Sequence, residues 1–228
     1  MLPGTEAYRM ASSVPLRTRG FLALLGLGVL AADLVLVDSG RNSWSPWRLV
    51  PPAVSLLALL LIPSSQRPVL GLRLPPSGGS QRWVVLGGGT IALLVGWWTI
   101  SKLLAPHDCT DNAETSLYAA GDVVVTTRWW VLGMAGVVGE ELIYRLGSLP
   151  HLVASLGPVP ALATNAVAFT ILHVLYYHQV TWLYPLGAIL YASLFVASRS
   201  VWVVLLVHYG TNLSVYLVSL GFWWHLCH

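Results

Sequence analysis

The chain has 228 residues, of which 56% are hydrophobic and only 9% charged. A water-soluble domain carries about 25% charged residues, so a soluble fold is excluded and lipid is the expected solvent. The formal net charge of +3 says little taken globally, because in a membrane protein the placement of Lys and Arg in the loops matters more; no nucleic-acid partner is expected.

In chain order, the first twenty residues form a polar, Pro-containing tail. An apolar run from Phe21 to Val37 follows. It lacks a clean small-x-small cleavage site and is interrupted by Asp33, so it reads as a retained first helix rather than a signal peptide. A span needs about 20 apolar residues at 1.5 Å each. Further candidates are Trp47 to Ile62, opening near Pro51 and Pro52, and Trp83 to Leu104, with a Pro/Ser/Gly/Arg-rich loop from Pro63 to Gln81 between them. A polar acidic segment, Ala105 to Thr127, leads to Trp129–Leu149. Pro160–Tyr177, Trp182–Ala197 and Val201–Leu220 complete about seven spans. The sequence therefore predicts an all-α, polytopic transmembrane helix bundle. Residues 21–228 read as one domain, with Glu140, Glu141, Arg145, His173 and His208 all inside its apolar helices within 129–220. Eleven Trp and nine Tyr fit aromatic belts at the two interfaces.

Arg9, Arg17 and Arg19 in the tail, and Arg67, Arg73 and Arg82 in the second loop, place the N-terminus in the cytoplasm by the positive-inside rule. Arg41 and Arg48 fall on the other side and oppose it. The expected location is a prokaryotic inner membrane. Two cysteines make neither a disulfide framework nor a zinc finger. Under this topology Cys109 and Cys227 both lie outside, either bridged or as two unpaired thiols.

The informative residues are ionisable groups within apolar helices, which are costly and functional by default. The fourth span holds Glu140, Glu141 and Arg145. Glu141 and Arg145 are four apart and can pair on one face. Glu140 lies about 100° round the helix, so one carboxylate is left over and can serve as a base. His173 stands one turn after Phe169, and Asn212 one turn after His208. Polar groups on three helices should face the bundle interior and one another. Taken singly, each histidine or the Glu–Arg pair could be packing glue; together they suggest chemistry.

Glu140-Glu141-Leu142-Ile143-Tyr144-Arg145 resembles the E-E-x-x-x-R motif of the CPBP family, which comprises the type II CAAX prenyl endopeptidases and the bacteriocin-processing or self-immunity (Abi) proteins. Phe169–His173 resembles its F-x-x-x-H motif and His208–Asn212 its H-x-x-x-N motif. Val69-Leu70-Gly71-Leu72-Arg73 is similar to a weaker signature of the same family. Where the family usually ends its first motif Phe-Arg-Gly, this chain has Tyr144-Arg145-Leu146. The resemblance implies an intramembrane endopeptidase acting on a membrane-associated protein or peptide. It implies that Glu140 and His173 activate a water, that His208 and Asn212 steady the oxyanion, and that Glu141 and Arg145 support them. No cofactor is implied on this reading. The alternative is zinc held by Glu140, His173 and His208, although no H-E-x-x-H pair is present and Asn is a poor zinc ligand. Rival functions are a proton-coupled transporter, for which no inverted repeat is visible, and a non-catalytic membrane scaffold.

Overall fold

The computed structural model of the chain describes residues 14–38, 50–58, 60, 80–104, 136–177 and 181–226. The acidic third loop, Cys109 and Cys227 lie outside the described residues. Seven helical rods run through what is described. They are α1 (Leu16–Asp38), α2 (Val50–Ala58), α3 (Ser80–Leu104), α4 (136–156), α5 (Pro158–Tyr177), α6 (Leu183–Ser198) and α7 (Val201–Leu226). Among the described residues, three segments are long and apolar enough to cross a membrane: Leu16–Leu36, Gln81–Ile100 and Pro158–Tyr177. Leu183–Ser198 and Val201–Val215 are shorter apolar helices. Large apolar side chains such as Leu24, Val84, Val159 and Leu206 are exposed on the outside, as expected where lipid rather than water is the solvent.

Several boundaries differ from the sequence reading, each for a local reason. Helix α1 starts at Leu16 rather than Phe21, and Arg19 Nε donates to the Val14 carbonyl at 2.7 Å across its first turn. Helix α2 is described over Val50–Ala58, inside the expected Trp47–Ile62 span. Pro51 and Pro52 sit in its first turn, where the missing N–H groups cost nothing.

Helix α4 departs most. It does not stop at Leu149 but passes through Pro150 to Leu156, and its middle, Leu142–Ser148, is a π turn. The Leu149 N–H bonds the carbonyl of Tyr144, five residues back. A proline in an α-helix clashes with the carbonyl four residues earlier and leaves it without a donor. Here that carbonyl belongs to Leu146, within the widened turn, so the π register is a physical reason why the helix survives Pro150. It ends at Gly157, whose φ of 85° suits a residue with no Cβ, and α5 begins at once through Pro158 and Pro160.

The π turn sits at the centre of the packing. Helices α1, α2 and α5 lie against α4; α6 packs on α5, α3 and α7; and α7 packs on α3. The α3–α7 seam is close enough that a Cβ on Gly87 would meet Val207 Cγ2 at 2.8 Å. Small residues allow such approach in membrane bundles, and Val207 immediately precedes His208 on α7. The largest fully buried side chain is Arg145, not an apolar residue.

Candidate active site

A charge buried without a partner is costly, so a buried arginine needs one. Arg145 Nε lies 3.2 Å from Glu141 Oε2, with both side chains fully buried. Its Nη1 donates to Asn165 Oδ1 at 3.0 Å, and its guanidinium carbon sits 5.1 Å from the centre of the Phe169 ring. The other carboxylate oxygen of Glu141 accepts from His208 Nδ1 at 2.8 Å. The acceptor is a carboxylate paired to arginine, so the His208 proton is on Nδ1 and Nε2 is the nitrogen left for other work. Nε2 lies 3.9 Å from Glu140 Oε2. Adjacent glutamates on α4 thus reach one imidazole on α7 from different sides, which is the consequence of their angular separation on the helix. The Tyr191 ring of α6 stacks on His208, with centroids 4.4 Å apart at 24°.

His173 is fixed by similar logic. Its Nδ1 is 2.9 Å from the Phe169 carbonyl. A carbonyl can only accept, so Nδ1 carries the proton and Nε2 has a free lone pair. Aromatic rings surround the imidazole: Phe169 at 4.2 Å, Tyr184 at 4.9 Å and Tyr177 at 5.8 Å between centroids. His173 lies within electrostatic reach of Glu140, His208 and Arg145.

Phe169 is the hub of the arrangement. Besides His173 and the guanidinium it meets the edge of Tyr144 at 5.2 Å and faces His208 at 6.3 Å. Glu141 and Arg145 are fully buried and His208 nearly so, whereas the Glu140 side chain keeps 17% of its surface accessible. The structure therefore brings Glu140, Glu141, Arg145, Phe169, His173 and His208 together. Asn212 is one turn further along α7 and exposed, with no hydrogen bond to the cluster. Among the described residues, no three His, Cys, Asp or Glu side chains form a group able to hold a metal ion.

Sequence reasoning missed several members. Asn165 bonds both Arg145 and the Tyr144 carbonyl, the latter from Nδ2 at 2.8 Å. It stands four residues before Phe169, so Asn165, Phe169 and His173 form one stripe on α5; an Asn at that spacing in an apolar helix was the available signal. Tyr191 carried no such signal. The Tyr144 hydroxyl, where the motif usually has Phe, donates to Asp33 Oδ2 of α1 at 3.1 Å. That contact joins two oddities of the sequence, the charge within the first span and the extra hydroxyl.

Residues 122–214 match the family model described as type II CAAX prenyl endopeptidase Rce1-like. The match takes in Glu140 to Arg145, Phe169 to His173 and His208 to Asn212, in agreement with the motif resemblance. The match supports a CAAX-type intramembrane endopeptidase in general; proteases of that family act on membrane-associated protein substrates. No curated protein and no solved structure gives a significant match.

Proposed function

We propose that this integral membrane protein of the Rce1-like endopeptidase family cleaves its substrate with a water activated by Glu140 and His173. The observation that carries the reading is the division of labour among the carboxylates. Glu141 is consumed by Arg145 and His208, whereas Glu140 is partly accessible and not closed into a tight pair. A general base needs a lone pair within reach of the reacting water. Glu140 offers one, and His173 Nε2 offers a second.

The water oxygen attacks the scissile carbonyl carbon, and its proton passes to Glu140 or His173. The carbonyl oxygen becomes an oxyanion. His208 Nε2, when it carries a proton, is the donor that steadies it, and Glu141 balances the charge on that ring. The tetrahedral carbon then expels the amine, which takes the proton back, leaving a free carboxylate and a free amine. Asn212 enters this scheme only as a group exposed one turn from His208, available to a substrate that reaches α7. The substrate class that the family suggests is a prenylated CAAX protein; leader peptides and surface-protein anchors are the other candidates. The N-terminus is proposed to be cytoplasmic.

The test is hydrolysis of an internally quenched, farnesylated CAAX peptide by the purified protein and by Glu140→Gln. The variant keeps the shape and removes the base, so turnover should fall about 10²- to 10⁴-fold, the usual worth of a positioned acid–base group. Wild-type turnover in Glu140→Gln would falsify the assignment of the base. Chelators should leave the rate unchanged. Loss of activity on metal removal, restored by zinc alone, would favour the metal mechanism instead.

A further inference from the structure

The Glu140, Glu141 and Arg145 motif does not by itself say what holds the arginine. Glu141 lies 3.2 Å from Nε, but that contact falls short of hydrogen-bond geometry, and Nε, Nη2 and Glu141 Oε2 make no hydrogen bond among the described residues. The directional bond that Arg145 does make goes from Nη1 to Asn165 Oδ1, at 3.0 Å. An ion pair fixes distance, whereas a directional bond also fixes the plane of a guanidinium.

Asn165 is fully buried, and its two ends cannot be exchanged. A guanidinium only donates and a carbonyl only accepts, so the amide oxygen must face Arg145 and the amide nitrogen must face the Tyr144 carbonyl. Both bonds land on the π turn of α4, one on its backbone and one on the side chain of the next residue. A single rigid amide thereby ties the guanidinium plane to the helix that bears Glu140 and Glu141. On α5 the same stripe supplies the ring beneath the guanidinium, Phe169, and the base, His173.

We propose that Asn165 is a positioning residue for hydrolysis: it orients Arg145, which aligns Glu141, which holds the His208 imidazole through Nδ1. The inference rests on the hydrolytic reading for its effect on rate, but the alignment itself is a property of the resting protein.

The experiment measures both in the full-length protein in detergent. The rate is followed with the farnesylated quenched peptide. The imidazole ¹⁵N signals of the histidines are recorded in parallel, with His208→Gln used to assign His208. Asn165→Leu keeps the branched shape, at somewhat greater bulk, and removes both bonds. It should lower kcat roughly 10- to 100-fold, the size found when an outer partner of a functional group is lost, with KM within about twofold. It should also change the Nδ1 signal of His208. Asn165→Asp keeps the acceptor for Arg145 and should retain the wild-type His208 signal and most of the rate. Wild-type kcat and an unchanged His208 signal in Asn165→Leu overturn the proposal. If the leucine variant does not fold, Asn165→Ala is read in the same way; failure of both makes Asn165 a determinant of folding alone and also overturns it. If the wild-type protein cleaves no peptide, the proteolytic reading falls, while the His208 signal still decides whether Asn165 aligns the ring.

Discussion

Helix α4 carries two buried polar clusters on different sides. One joins Glu140, Glu141 and Arg145 to α5 and α7. The other faces α1 and α2: Tyr144 bonds Asp33, and Ser55 of α2 sits between the Gly147 carbonyl, 3.0 Å away, and His151 Nε2, 2.8 Å away. Both take polar groups out of lipid and both hold helices together. They differ in what a substrate could reach. Ser55 and His151 are 1% and 0% exposed, so that His151 Nδ1, which makes no hydrogen bond among the described residues, is sealed inside the packing. The first cluster keeps a partly accessible carboxylate and a histidine nitrogen, Nε2 of His173, uncommitted. Polar groups inside a membrane bundle are therefore not functional in proportion to their number. What marks a site is a charge or lone pair that the packing neither uses up nor seals off, as at the partly accessible Glu140.

The largest expected break of this contrast in stability is Arg145→Ala. It leaves Glu141 buried beside a cavity with no counter-charge, which costs about 3–5 kcal/mol. Lower yield and a lower Tm should accompany lost hydrolysis, measured by thermal unfolding in detergent next to the peptide assay. A variant that is inactive but fully stable would mean that Arg145 serves the substrate rather than Glu141.

That pair was legible in the sequence because charge in an apolar helix is expensive and i,i+4 spacing names its partner. The same reasoning reached Phe169, His173 and His208, and placed the long spans to within a few residues. It stopped at Asn165, which is uncharged and so stands out less, although its spacing to Phe169 was on the page. The π turn was not legible. It depends on how the chain relieves Pro150 while buried against α1, α2 and α5, and no local pattern states that.

A smaller effect is expected at the Tyr144–Asp33 contact. Interhelical hydrogen bonds in membranes average about 0.6 kcal/mol and reach about 1.7, and a carboxylate acceptor argues for the upper part of that range. Tyr144→Phe keeps the ring contact with Phe169, so turnover should stay near wild type while stability falls by about 1–1.7 kcal/mol. Asp33→Leu combined with Tyr144→Phe should be less destabilised than the two single changes summed, since the pair interacts directly. Strict additivity in that cycle would remove the contact as a tie between α1 and the motif helix.

The smallest effect should come from Ser55→Ala, and it is the sharpest comparison of the two clusters. A serine 2.8 Å from a histidine nitrogen has the spacing of a nucleophile and its base, so distance alone does not separate this pair from an active site. The directions of the bonds do. Ser55 donates to the Gly147 carbonyl, so its oxygen accepts from His151 Nε2–H; the histidine is the donor and cannot take the serine proton. The hydroxyl is also sealed within the packing at 1% exposure, out of reach of a peptide carbonyl. Losing it should cost about 0.6 kcal/mol, because a neutral hydroxyl between helices finds other partners in the unfolded state within the membrane. Peptide turnover should stay within about twofold of wild type, a difference of roughly 0.4 kcal/mol in barrier. A folded Ser55→Ala protein without activity, next to an active Glu140→Gln protein, would exchange the roles of the two clusters and make the α2–α4 contact the seat of hydrolysis.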